Sequence, residues 1–130
     1  MQEAPIHVLQ PREAGGYYHA EDATEGFVVL DGECVAIVEG EERRMRRWDY
    51  LHSPPGTAHI TVGAGDGPCA ILMVGARTPG KSISYPVDAT AARHGASVRV
   101  AADNARDAYA QAADHRWWPD RSAWPNEDTS

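Results

Sequence analysis

The sequence predicts an all-β fold of sandwich or small-barrel type, and three observations predict it. Apolar runs rich in β-formers recur about every 8 to 12 residues through the first two thirds of the chain. Turn residues separate them, at Asp31-Gly32, at "EGEE" (39 to 42), at Pro54-Pro55-Gly56 and at "GAGDGP" (63 to 68). No 3.6-residue periodicity appears before residue 86.

Taken in order, "FVVLDGECVAIV" (27 to 38) reads as two short strands around a turn at Asp31-Gly32. Gly40 suits positive φ in the next turn, after which "RRMRRW" returns as a strand whose charges face solvent. In "DYLHSPPGTAHITVG" a Pro-Pro-Gly turn leads into a further run of β-formers, and "CAILMVGA" (69 to 76) is continuous enough for a buried strand. After residue 86 the character changes. "VDATAARHG" predicts a short helix with Asp88 as N-cap and Gly95 at its end. "ADNARDAYAQAADH" predicts a second, capped by Asp103 or Asn104, on propensity alone. The tail from Arg116 holds three of the four tryptophans, so Trp117, Trp118 and Trp124 are expected to dock on the barrel or on a partner subunit. The expected division is a barrel over residues 1–86 and a helical segment with its tail over 87–130.

A chain of 130 residues has room for one core, and it can bury roughly two thirds of the surface it exposes unfolded. Its net charge of −7 argues against nucleic acid, whose phosphates need a basic face. No apolar run approaches the roughly 20 residues of a membrane span, and "MQEAPIHVLQ" has no signal-peptide pattern, so a cytoplasmic protein is expected. Cys34 and Cys69 both lie in apolar runs and read as buried free thiols.

The chemistry concentrates in "GYYHAEDATEGFVVLDG" (16 to 32). His19 and Glu21 are two apart, so a strand points both to one face. Glu25 shares parity with Phe27 and Val29, which aims its carboxylate inward. A buried carboxylate without a cation is costly, and the nearest compensating groups in the sequence are histidines. A divalent metal satisfies both, since neutral imidazole and carboxylate are compatible ligands. His59, set at the start of a strand by a rigid turn, supplies a second imidazole.

These stretches resemble the cupin superfamily. "YHAEDATEGFVVLDGE" is similar to the first cupin motif in the form His19-x-Glu21-x3-Glu25-x6-Gly32, and "PPGTAH" to the second through Pro54, Gly56 and His59. The resemblance covers roughly residues 15 to 76, with the motifs at 15–32 and 48–63. It implies a double-stranded β-helix, or jelly-roll barrel, with a divalent ion inside one end, and a homodimer. By position the implied metal ligands are His19, Glu21, Glu25 and His59. Three positions depart from the pattern: Glu21 stands where the family has a second histidine, Trp48 where the second motif begins with glycine, and Gly63 where it ends with asparagine.

A carboxylate in place of an imidazole hardens the site and favours Fe, Mn, Zn or Ni. If three groups bind, His19, His59 and one glutamate make a two-His-one-carboxylate face, and the other glutamate, Glu21 or Glu25, can act as a catalytic base. If all four bind, the site is nearly neutral and suits a hydrolytic or structural ion. Tyr17, Phe27, Trp48, His52 and Met73 are candidate pocket walls. The leading expectation is a cupin binding a small organic molecule beside the ion, as an oxygenase, isomerase or lyase if it is an enzyme. A non-catalytic sensing cupin and a metal-free epimerase-like cupin using His19 and His59 are the alternatives. No Gly-x-Ser-x-Gly elbow is present, and "GAGDG" lacks the strand-to-helix context of a phosphate cradle.

Overall fold

The computed structural model describes residues 2–3, 5–76 and 82–112. Ten short strands and two short helices follow one another along them. The strands are β1 (Gln2–Glu3), β2 (Ile6–Leu9), β3 (Ala20–Glu21), β4 (Glu25–Asp31), β5 (Cys34–Val38), β6 (Glu41–Met45), β7 (Tyr50–Ser53), β8 (His59–Gly63), β9 (Cys69–Ala76) and β10 (Ile83–Ser84). The helices are α1 (Ala89–Arg93) and α2 (Ala105–Tyr109).

Two antiparallel sheets enclose the core. The larger runs β1-β9-β4-β7, with β2 also paired to β9, and the smaller runs β6-β5-β8. Alternation along the strands decides what faces inward. Leu9, Phe27, Val29, Cys69 and Ile71 of the larger sheet meet Cys34, Ala36 and Met45 of the smaller. On the far side of the smaller sheet, Ile37, Ile60 and Val62 are covered by Ala14 and Tyr18 from before β3 and by Ala91 and Ala96 from beyond the barrel.

The β5–β6 turn is a two-residue hairpin with positive φ at both central positions, 49° at Glu39 and 80° at Gly40, which matches the natural twist of the paired strands. The turn at Asp31-Gly32 is of another kind. It joins strands of different sheets, since β4 pairs with β7 and β9 whereas β5 pairs with β6 and β8. Gly32 has φ +76°, and a Cβ there would stand 2.4 Å from the Pro68 carbonyl oxygen, so the crossing needs glycine for both reasons.

The strand expected over "RRMRRW" begins earlier and stops at Met45. Asp49 ends it: its carboxylate accepts from the Arg46 N–H at 2.8 Å in a turn that gives Trp48 a φ of 75°. Helix α1 is capped as expected, with Asp88 accepting from the Ala91 N–H at 2.8 Å and Gly95 beyond its end at φ +70°. Helix α2 is capped by Asn104 but spans only five residues. Alanine content alone does not sustain a helix this short; it passes into a turn, with the Gln111 N–H donating to the Ala108 carbonyl while the Gln111 side-chain amide bonds back to Val100. Trp117, Trp118 and Trp124 lie outside the described residues. Among the described residues, no helix is long and apolar enough to cross a membrane.

Candidate metal centre

His19 and His59 sit side by side across a bridge between two chain segments. The His19 N–H donates to the His59 carbonyl at 3.1 Å, and the His59 N–H donates to the His19 carbonyl at 2.8 Å. Their rings, 4.9 Å apart, project into the barrel end where β4 begins. Glu25 is the first residue of β4, pairs with Ser53 and Gly75, and shares the inward parity of Phe27. One ligand atom from each of His19, Glu25 and His59 lies within 4.8 Å of the others.

Both imidazoles are held in one tautomer by the same device. His19 Nδ1 is 2.7 Å from the Tyr17 carbonyl oxygen, and His59 Nδ1 is 2.9 Å from the Thr57 carbonyl oxygen. A carbonyl can only accept, so each Nδ1 carries a proton, and in its neutral form each ring turns an Nε2 lone pair into the barrel. The buried Ser53 hydroxyl, 3.2 Å from His59 Nδ1, supports the same orientation. This is the arrangement a ligating histidine requires: one nitrogen anchored, the other available.

The other side of the site is electrostatically incomplete by itself. His59 Nε2 and Glu25 Oε1 are 3.2 Å apart, yet when the ring is neutral with its proton on Nδ1 both atoms present lone pairs to each other. Among the described residues, they are the two buried side-chain polar atoms without a hydrogen-bond partner. Orphan acceptors of this kind cost about 1–3 kcal/mol each. A cation between them removes that cost. Two donors on one ion with bonds near 2.1 Å stand roughly 3 Å apart when adjacent, so the observed spacing suits a divalent metal. The residues present therefore fit the ion that the motifs imply.

Glu21 occupies a different position. Its Oε1 is 3.2 Å from His19 Nε2, and it is not part of the three-residue cluster. Burial opposes charging of His19, but the Glu21 carboxylate, the Tyr17 carbonyl and the Glu25 charge outweigh it and hold the His19 pKa above its usual value. Tyr85 packs its ring 5.7 Å from that of His19, and burial raises its phenol pKa further out of reach.

Of the candidate pocket walls, Tyr17 and Phe27 are buried, with the Phe27 ring 5.2 Å from that of His59, and Met73 packs behind Phe27. Trp48 and His52 do not line the interior. Trp48 is 66% exposed in the turn after β6, and His52 has the opposite parity to the buried Ser53 and points outward. Ser53, Tyr85 and Tyr109 take part in the site without having been singled out in the sequence. Ser53 was recoverable from its parity two residues after Leu51, whereas the two tyrosines lie far along the chain and carry no local signal.

The Cupin domain family model matches residues 5–75, more than half of the chain, and this protein belongs to the cupin family. Solved structures agree on the fold. A sugar phosphate isomerase of the cupin superfamily from Silicibacter pomeroyi is 25% identical with a TM-score of 0.62, over 68% of this chain and 63% of that one. A salicylate 1,2-dioxygenase from Pseudaminobacter salicylatoxidans is 29% identical with a TM-score of 0.53, over 57% of this chain and 21% of that one. A DMSP lyase from Ruegeria pomeroyi is 23% identical with a TM-score of 0.54, over 63% and 41%. The chain thus spans less than two thirds of the length of each of the three. No match is found among curated proteins.

Proposed function

We propose that this protein holds a divalent ion through His19, Glu25 and His59 and moves a proton on a small organic molecule bound beside it, as an isomerase or lyase does. The observation that carries the reading is the pair of buried, unpartnered acceptors, Glu25 Oε1 and His59 Nε2, facing each other at 3.2 Å. Two imidazoles with a carboxylate suit Fe, Mn, Zn or Ni better than a soft ion. When bound, such an ion supplies Lewis-acid polarisation of a substrate oxygen. The chain's own residues do the rest. His19 and His59 keep their Nε2 lone pairs inward through their anchored Nδ1 protons, and Phe27 closes one wall against water. Glu21, beside His19, accepts or returns a proton at Oε1 in this reading. The sugar phosphate isomerase of similar fold carries an activity of the same class.

A second reading rests on the ligand count. A two-His-one-carboxylate set with open positions also suits Fe(II) and oxygen. Metal analysis of untagged protein, followed by assays of oxygen uptake and of isomerisation or elimination on a panel of small hydroxy acids and sugar phosphates, separates the two. Proton-transfer turnover that is lost in Glu21→Gln while metal is retained supports the first reading. Oxygen uptake with Fe(II) alone supports the second, and turnover surviving strong chelators contradicts both.

We also propose that two copies pair through the outer face of the larger sheet. Ile6 and Val8 of β2, Val74 of β9 and Tyr50 of β7 are each more than a third exposed there. Register sets them beside Val28 and Leu72, with Asp31 next to Ala70 at one end of the face and His52 next to Gly26 at the other.

A further inference from the structure

The residues that match the cupin family end at 75, yet the described segment from 82 to 112 reaches back to the candidate metal centre. Strand β10 pairs with β3, the strand that carries Glu21, and Ser82 accepts from the Asp22 N–H at 3.0 Å. Tyr85, Val98, Ala108 and Ala112 form a small core of their own around Tyr17. Within it, the Tyr109 hydroxyl accepts from the Tyr17 N–H at 3.0 Å, and the two rings stack at 4.9 Å. The Tyr17 carbonyl is in turn the acceptor that orients His19 Nδ1. Gly16 leaves room for this contact, since a Cβ there would stand 2.6 Å from the Tyr109 hydroxyl oxygen.

We propose that Tyr109 is a positioning residue for His19, acting through the Tyr17 backbone, so that the segment beyond the family match tunes the affinity of the metal centre. The physical basis is that a ligating imidazole is only as well aimed as the group that accepts its other N–H. Here that group is a backbone carbonyl in a segment preceding β3, and residue 17 is clamped on both its N–H and its ring by one side chain of α2. The peptide of the Tyr17 carbonyl is also held by the Tyr18 N–H, which donates to the Ala96 carbonyl at 2.7 Å, so loosening the clamp tilts that carbonyl, and with it the His19 ring, without releasing it.

The inference rests on the metal reading, and the test keeps the two apart. Mn(II), Co(II) and Zn(II) are titrated into wild type, Tyr109→Phe and Val98→Ala. Tyr109→Phe keeps the stacked ring and removes the hydroxyl. Val98→Ala loosens the same small core without touching the hydrogen bond. Tyr109→Phe is expected to weaken binding about 3- to 10-fold and to alter the visible spectrum of bound Co(II), less than the roughly 10- to 100-fold typical when a direct partner of a ligating histidine is lost. Val98→Ala is expected to lower the melting temperature of the metal-free protein while leaving affinity within about twofold of wild type, too little to count as lost orientation. Wild-type affinity and spectrum in Tyr109→Phe overturn the proposal while leaving the metal centre standing. Equal weakening in Val98→Ala overturns it as well, because general loosening then suffices. A wild-type protein that binds none of the three ions overturns both readings together.

Discussion

Glu25 Oε1 and His59 Nε2 face each other at 3.2 Å inside the barrel, both buried and neither hydrogen-bonded. Glu25 arrives by strand parity and His59 by the rigid turn before β8, so the fold itself brings two acceptors into opposition. Such an arrangement is unfavourable in isolation and favourable around a cation.

Replacing Glu25 by glutamine separates these two situations. The amide can donate to His59 Nε2, so the metal-free protein is expected to gain about 1 kcal/mol, the usual net worth of a buried hydrogen bond. Metal binding is expected to fall at least tenfold as the only anionic donor of the cluster is lost. Thermal melts with and without metal check both signs, and a variant that is less stable without metal contradicts the opposition of lone pairs.

The pH dependence follows from His19. Its folded pKa lies above the usual 6.5, because Glu21 and the Tyr17 carbonyl outweigh the effect of burial. A raised pKa means that the metal-free fold gains stability that is fully present below 6.5 and is lost as pH rises through the folded value. Metal affinity runs the other way, since the ion competes with the proton on Nε2, and it rises across the same window. In Glu21→Gln the stabilising charge is gone, burial dominates, and the affinity profile is expected to move to lower pH. Calorimetric titrations in buffers of different ionisation enthalpy measure the proton released.

The buried thiols are expected to be inert. Cys34 and Cys69 are both unexposed, and burial pushes Cys34 up to about 12 and raises Cys69 too. Nucleophilic attack needs thiolate, which is scarce at neutral pH under those conditions. A maleimide reagent is expected to label neither in the folded protein and both in denaturant, with no disulfide in either state.

The exposed apolar residues Ile6, Val8, Tyr50 and Val74 on the outer face of the larger sheet predict a dimer. Light scattering at micromolar concentration is expected to give twice the chain mass for wild type and the chain mass for Val74→Lys, which sets a charge in the middle of that face. A wild-type monomer contradicts the pairing.

Much of the site was legible because strand parity and motif spacing act locally. The inward aim of Glu25 followed from Phe27 and Val29, and His59 from Pro54 to Gly56, and both positions are where those arguments put them. Strand pairing was not legible in the same way. Asp31-Gly32 carries the composition of a hairpin turn, but only tertiary contact with Pro68 shows that it crosses between sheets. Trp48 and His52 looked like pocket walls by composition, and a one-residue difference in parity or a turn with positive φ sends each outward. Tyr85 and Tyr109 reach the site through pairing and packing of a distant segment, which no local pattern encodes.

The most direct test of the metal centre is calorimetric titration of the untagged, metal-stripped protein with Mn(II) and Zn(II) at pH 7.5. One ion per chain is expected, with binding lost in His19→Ala and His59→Ala and retained in His52→Ala, since His52 lies on the outer face. No uptake by the wild type, or equal loss in all three variants, contradicts it.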